Sequence, residues 1–93
     1  MKKLFISECT EFELGWGSRP DGFMISETKE AMHAHIEESN KMGSYDYFWR
    51  YNEPSEIACD DEGYEKIKNR MNEKGLAFFN DREKEGLNLY IKI

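Results

Sequence analysis

LFISECTEFELGWGSRPDGFMI, residues 4–25, is the stretch from which the architecture is read. Apolar side chains fall on even positions, at Leu4, Ile6, Phe12, Leu14 and Trp16, with charged Glu11 and Glu13 between the later ones. A period of two marks a strand with one buried and one wet face. The alternation lapses at Ser7-Glu8-Cys9-Thr10, where a break or bulge is expected. Positions 15–22 then hold three glycines, a proline, a tryptophan and an arginine. Phe23-Met24-Ile25 resumes as a strand. Asp21-Gly22 is a turn dipeptide, and Pro20 fixes φ just before it. The stretch predicts a hairpin with a long tip that is shaped rather than flexible.

Working outward, Ser26 is a suitable cap for a helix over 27–42, with Glu27 and Glu30 near its positive end. Ala31, Met32, His35, Ile36 and Ser39 share one helical face. Lys41 lies near the end, and Gly43 is the expected stop. Residues 45–51 form a strand of high aromatic density. Tyr45, Tyr47, Trp49 and Tyr51 share one face, and Asp46, Phe48 and Arg50 the other. Asn52-Glu53-Pro54-Ser55 breaks it. Glu56-Ile57-Ala58-Cys59 reads as a short strand or an extended entry to the next helix. Asp60 or Asp61 caps that helix, Tyr64, Ile67 and Met71 mark its inward face, and Gly75 ends it.

Leu76, Ala77, Phe78 and Phe79 form a further strand, and residues 80–86 a charged hairpin loop. In the last strand Leu87, Leu89, Ile91 and Ile93 alternate with Asn88, Tyr90 and Lys92. Leu89 and Ile91 are expected to face the helices. The order ββαβαββ predicts an α+β fold. Its mainly antiparallel sheet has four to five strands, with two helices packed on one face. Ninety-three residues leave room for a single compact domain over 1–93.

Nineteen acids against thirteen bases give a formal charge of −6. That sign opposes direct nucleic-acid binding and attraction to anionic membranes, and favours a partner protein with a basic surface. No stretch approaches the ~20 apolar residues of a membrane span. The apolar run after Lys2-Lys3 is too short for a secretion signal. The expected localisation is cytoplasmic, with Cys9 and Cys59 as free thiols.

No stretch resembles a phosphate loop or a nucleophile elbow. His33 and His35 stand two apart and leave a helix on different sides, and His33 with Glu37 supplies only two ligands. No metal and no cofactor are expected, and no catalytic residue is assigned. Carboxylate pairs occur at Glu37-Glu38 and at Glu11 with Glu13, and the latter reads as the wet face of a strand. Asp60-Asp61-Glu62 reads first as helix capping.

The aromatic strand and the glycine-rich tip are the strongest site candidates. Tyrosine, tryptophan and arginine dominate interface hot spots because they join apolar area to a polar handle. The expected partner-binding residues are Trp16, Arg19, Asp21, Tyr47, Trp49, Arg50, Asp60, Asp61 and Glu62. An alternative role for Arg19 is to brace the loop through Asp21. The overall expectation is a binding protein rather than an enzyme, which docks on a partner and inhibits or regulates it, with a homodimer as a further possibility. The alternative is a small-ligand or nucleotide module, stacking a ring on the aromatics and pairing phosphate with Arg19 and Arg50.

In size, acidity and lack of motifs the whole chain is similar in kind to small inhibitor proteins. Immunity proteins, antitoxins and phage-encoded blockers of host defence are of this kind. The resemblance rests on composition and implies no residue roles.

Overall fold

One long strand organises the molecule. β1 (Lys2–Glu13) pairs along one side with β2 (Gly17–Ser26). Along its other side, residues 2–6 pair with β4 (Ser55–Cys59) and residues 9–13 with β3 (Tyr47–Tyr51). β5 (Leu76–Phe79) adds to β2, and β6 (Leu89–Ile91) adds to β4. These elements come from a computed structural model that describes residues 2–87 and the backbone of 89–91. All pairings are antiparallel, in the order β5-β2-β1-β4-β6 with β3 beside β1. The fold is α+β, and the segment ending at Cys59 is a true strand, which brings the sheet to six strands.

The hairpin tip is shorter than the sequence suggests. Only Leu14, Gly15 and Trp16 form the turn, closed by the Trp16 amide donating to the Glu13 carbonyl at 3.0 Å. Gly15 and Gly17 flank Trp16 with φ of +88° and +91°, a region that favours glycine. Residues 17–22 are strand, not loop, because β1 continues opposite them. Pro20 is tolerated because β5 pairs only from Phe23 onward, leaving this part of β2 at an edge.

The irregularity expected near Cys9 is present, but its extra residue lies in β2. Glu8 pairs with Phe23 and Thr10 with Pro20, so Cys9 alone stands opposite Asp21 and Gly22. This is a β-bulge, and β1 itself runs on unbroken.

Ser26 does not cap a helix. It is the buried last residue of β2, and its Oγ donates to the Thr28 carbonyl. Thr28 is the cap, its hydroxyl accepting from the Ala31 amide. Helix α1 (Lys29–Ser39) stops at Asn40, short of Gly43. Gly43 instead lies against β3, where an added Cβ would sit 2.9 Å from that of Phe48. Asp60 caps α2 (Asp61–Arg70), accepting from the Gly63 amide at 2.8 Å. The chain turns extended at Met71, so Gly75 does not end the helix. It closes the next turn, donating to the Asn72 carbonyl at 3.0 Å.

The helices pack on opposite faces of the sheet rather than on one. Leu4 and Ile6, Phe23 and Ile25, Ile57 and Cys59, and Ala77 and Phe79 gather under Ile67 of α2, with Tyr64 and Met71 at the margin. On the reverse face, Met24 and Leu76 gather under Met32 of α1, with Phe5, Ile36 and Tyr51 beside them. Both faces of β2 are buried at residues 22–26, and a strand buried on both faces needs a cover on each.

The expected hairpin after β5 is also replaced. Residues Asp81–Leu87 form a 3-10 helix that carries the chain past α2 and delivers buried Leu87 to the first cluster. β6 therefore pairs with β4, at the far end of the sheet from β5. The expected facing of Leu89 and Ile91 toward the helices lies outside the described residues.

Candidate functional site

At the end of β1 remote from α2, β2 and β3 flank it as a three-stranded arm, and the molecule measures 42 × 25 × 24 Å. The arm has two faces. On one, Glu11 and Glu13 of β1 lie beside Trp49 and Tyr47 of β3, and Arg19 of β2 lies opposite Glu11. On the other, Phe12 stacks on Phe48 at 5.0 Å, and the Arg50 guanidinium lies 4.5 Å from the Phe48 ring centre.

Glu11 centres the first face. Its residue is only 6 % exposed, unlike the solvated acid the alternation implies. Arg19 donates to Glu11 Oε1 from Nη2 at 2.8 Å and from Nε at 3.2 Å. These bonds hold the Glu11 carboxyl below the usual carboxylate range, with the Tyr47 hydroxyl assisting. The same contacts push both the Arg19 guanidinium and the Tyr47 hydroxyl upward. Arg19 is thus braced by Glu11, not by Asp21, while its side chain stays 72 % exposed. Arg19, Trp16, Gly17 and Ser18 share a cavity of about 220 Å³ with Glu11 and Glu13.

The tip is apolar and uncovered. Trp16 is 84 % exposed, Tyr45 89 % and Leu14 64 %. The Leu14 amide donates to the Asp46 carbonyl at 2.9 Å, tying the turn to the residue after Tyr45. Leu14, Tyr45, Phe12 and Phe48 line a shallow groove of about 350 Å³. Glu13 lines it and Asp46 follows Tyr45, and both are exposed.

The arm therefore gathers Trp16, Arg19, Asp21, Tyr47, Trp49 and Arg50, but on two faces. Arg19 and Arg50 point away from one another, so they do not converge on one phosphate. Asp60, Asp61 and Glu62 are not part of the arm. Asp60 follows Cys59, which pairs with Lys2 at the other end of β1, about 35 Å away at ~3.3 Å per residue. Leu14, Tyr45 and the Phe12–Phe48 pair belong to the tip and are missing from the sequence-derived set. Their signal was present as Leu14 directly before Gly15, a position where alternation gives way to a turn.

The two thiols are buried and free. Burial, with Asp21 nearby, pushes Cys9 up to about 11, and burial also raises Cys59. Such thiols are mostly protonated and poorly nucleophilic at neutral pH. Among the described residues, no group of three or more His, Cys, Asp or Glu side chains is placed to hold a metal. None of their helices is long and apolar enough to cross a membrane. No family model, curated protein or solved structure matches this chain.

Proposed function

We propose that the protein docks on a partner protein with a basic surface and inhibits or regulates it, using the arm tip as its contact. The supporting observation is the concentration of Leu14, Trp16 and Tyr45, all largely exposed, on one end of the molecule. Exposed apolar patches rimmed by polar groups mark interaction sites. The rim here is acidic, with Glu13 and Asp46, in a chain of net charge −6. Such a rim speeds encounter with a basic partner and sets orientation, while the aromatic centre supplies affinity. The antiparallel strands on either side of the turn, with Arg19 locked on Glu11, preorder the contact and lower the entropy lost on docking.

The test is affinity capture from cells of origin with the wild-type chain and with Trp16→Ala, followed by mass spectrometry. The expected result is a stoichiometric protein that is released as salt rises. Trp16→Ala should weaken its binding by about 2 kcal/mol or more, the hot-spot range. The melting temperature should barely change, because Trp16 is not part of the core. Absence of any stoichiometric partner would end this reading, and a partner indifferent to Trp16→Ala would remove the tip from it.

A further inference from the structure

Far from the arm tip, α2 and the 3-10 helix enclose a cleft of about 580 Å³. Its lining runs against the overall charge of the chain. Lys66, Asn69 and Arg70 line it from α2, and Arg82 lines it from the 3-10 helix. The first three stand at i, i+3 and i+4, so one helical face presents them together. Phe79 and Leu87 give it an apolar floor. A volume within ~300–1,000 Å³, an apolar floor and a few convergent polar groups describe a small-molecule site.

The basic groups are held in place. Arg70 lies over the Phe79 ring, 4.6 Å from its centre, and its Nη1 donates to Glu83 Oε2. Glu83 Oε1 accepts from the Asn80 amide at 3.1 Å. Both carboxylate oxygens of Glu83 are thereby engaged, and its titration is held below the ordinary range by the Asn80 amide and Arg70. Lys66 donates to the Gly86 carbonyl at 3.1 Å, reaching across the mouth of the cleft, and its Nζ lies 3.7 Å from Glu62 Oε1. Arg82 is exposed and has no ion pair within 4.0 Å among the described residues. Of the three cations lining the cleft, Arg82 alone is without a carboxylate among the described residues, and it stands beside two that are already oriented.

We propose that this cleft binds a small phosphate monoester. The phosphate would sit among Arg82, Lys66 and Arg70, with the Asn69 amide as a neutral donor and the organic part over Phe79 and Leu87. A guanidinium fork matches two phosphate oxygens, and an ammonium adds a point charge. The cleft lies at the α2 end of the sheet, so the inference does not depend on the arm or on any protein partner.

The experiment is titration of the 93-residue chain by calorimetry, with amide chemical shifts followed by NMR. The probes are inorganic phosphate, ribose phosphate and adenosine monophosphate, with adenosine as the unphosphorylated control. The expected result is saturable binding of both esters, with shifts confined to residues 66–70 and 79–87 and none with adenosine. Arg82→Ala and Lys66→Ala should each weaken ester binding about tenfold, the effect of losing one charge-assisted contact. Both side chains are exposed, so unchanged melting temperatures should accompany the loss. Inorganic phosphate binding as tightly as the esters would assign the site to free phosphate, and would overturn the role given to the apolar floor. No saturable shift with any phosphate probe, or equal affinity in both variants, would overturn the proposal entirely.

Discussion

His35 meets the ring of Tyr51 edge-on at 5.6 Å between centres, and that of Phe78 at 5.2 Å. Burial among these rings lowers its titration below the ordinary histidine value; Glu38 opposes the shift and Lys74 adds to it. A base with a lowered pKa in the folded state binds fewer protons there than when unfolded. Its cost to stability is absent above the unfolded value near 6.5 and grows as pH falls through it. The wild-type melting temperature should therefore decline between about pH 7 and about pH 5.5, ahead of carboxylate titration. His35→Phe should show a flatter decline over that window by scanning calorimetry, and equal slopes would refute the assignment. Glu11 shows why residue roles were only partly legible. The alternation made it a wet-face residue, yet its strand neighbours are Arg19 and Trp49, eight and thirty-eight positions away. A period of two reports which face a side chain is on. It cannot report that the second face is also covered, here by an arginine and aromatic rings.

The bulge in β2 rests on Gly22, whose φ is +80°. A Cβ there would approach the Phe79 carbonyl oxygen to 2.3 Å, a contact with backbone that cannot turn aside. Gly22→Ala should cost more than about 1 kcal/mol, read as a lower denaturant midpoint at unchanged m-value. A neutral outcome would show that β2 and β5 separate there at little cost. Strand and helix identities were well marked in the sequence at this scale, because period-two runs and acidic caps depend on near neighbours. Asp60 as the α2 cap and Leu76–Phe79 as a strand follow directly from such local signals. Boundaries set by distant partners were not marked. Residues 17–22 are strand only because β1 lies beside them, and the helix after β2 starts at Lys29 because Ser26 is held within the sheet. The 3-10 helix was hidden for a related reason: a charged segment between two strands reads as a loop, while its docking under α2 depends on Leu87 reaching the core.

The whole molecule is a sheet insulating two apolar clusters, one roofed by α2 and the other by α1. Residues that share no neighbours should contribute independently. Ile67→Val should cost about 0.5–1.5 kcal/mol and Met32→Ala about 2–5 kcal/mol. The double variant should match their sum to within about 0.5 kcal/mol in chemical denaturation. A coupling above about 1 kcal/mol would mean that the two sides are packed as one. The sequence shows which residues are apolar, but both clusters draw on the same strands, so it does not show that the faces are roofed separately. The central place of β1 has a kinetic corollary. It precedes every strand it pairs with, and the two strands outermost in the sheet, β5 and β6, are the last in the chain. During synthesis at roughly 5–20 residues per second, β1 must wait several seconds before the final strands exist. Until β3, β4 and α2 follow, only the β1–β2 hairpin is available to shelter Leu4, Ile6 and Phe12. Glu8, Glu11 and Glu13, interspersed along the same strand, then guard it against premature association on the ribosome.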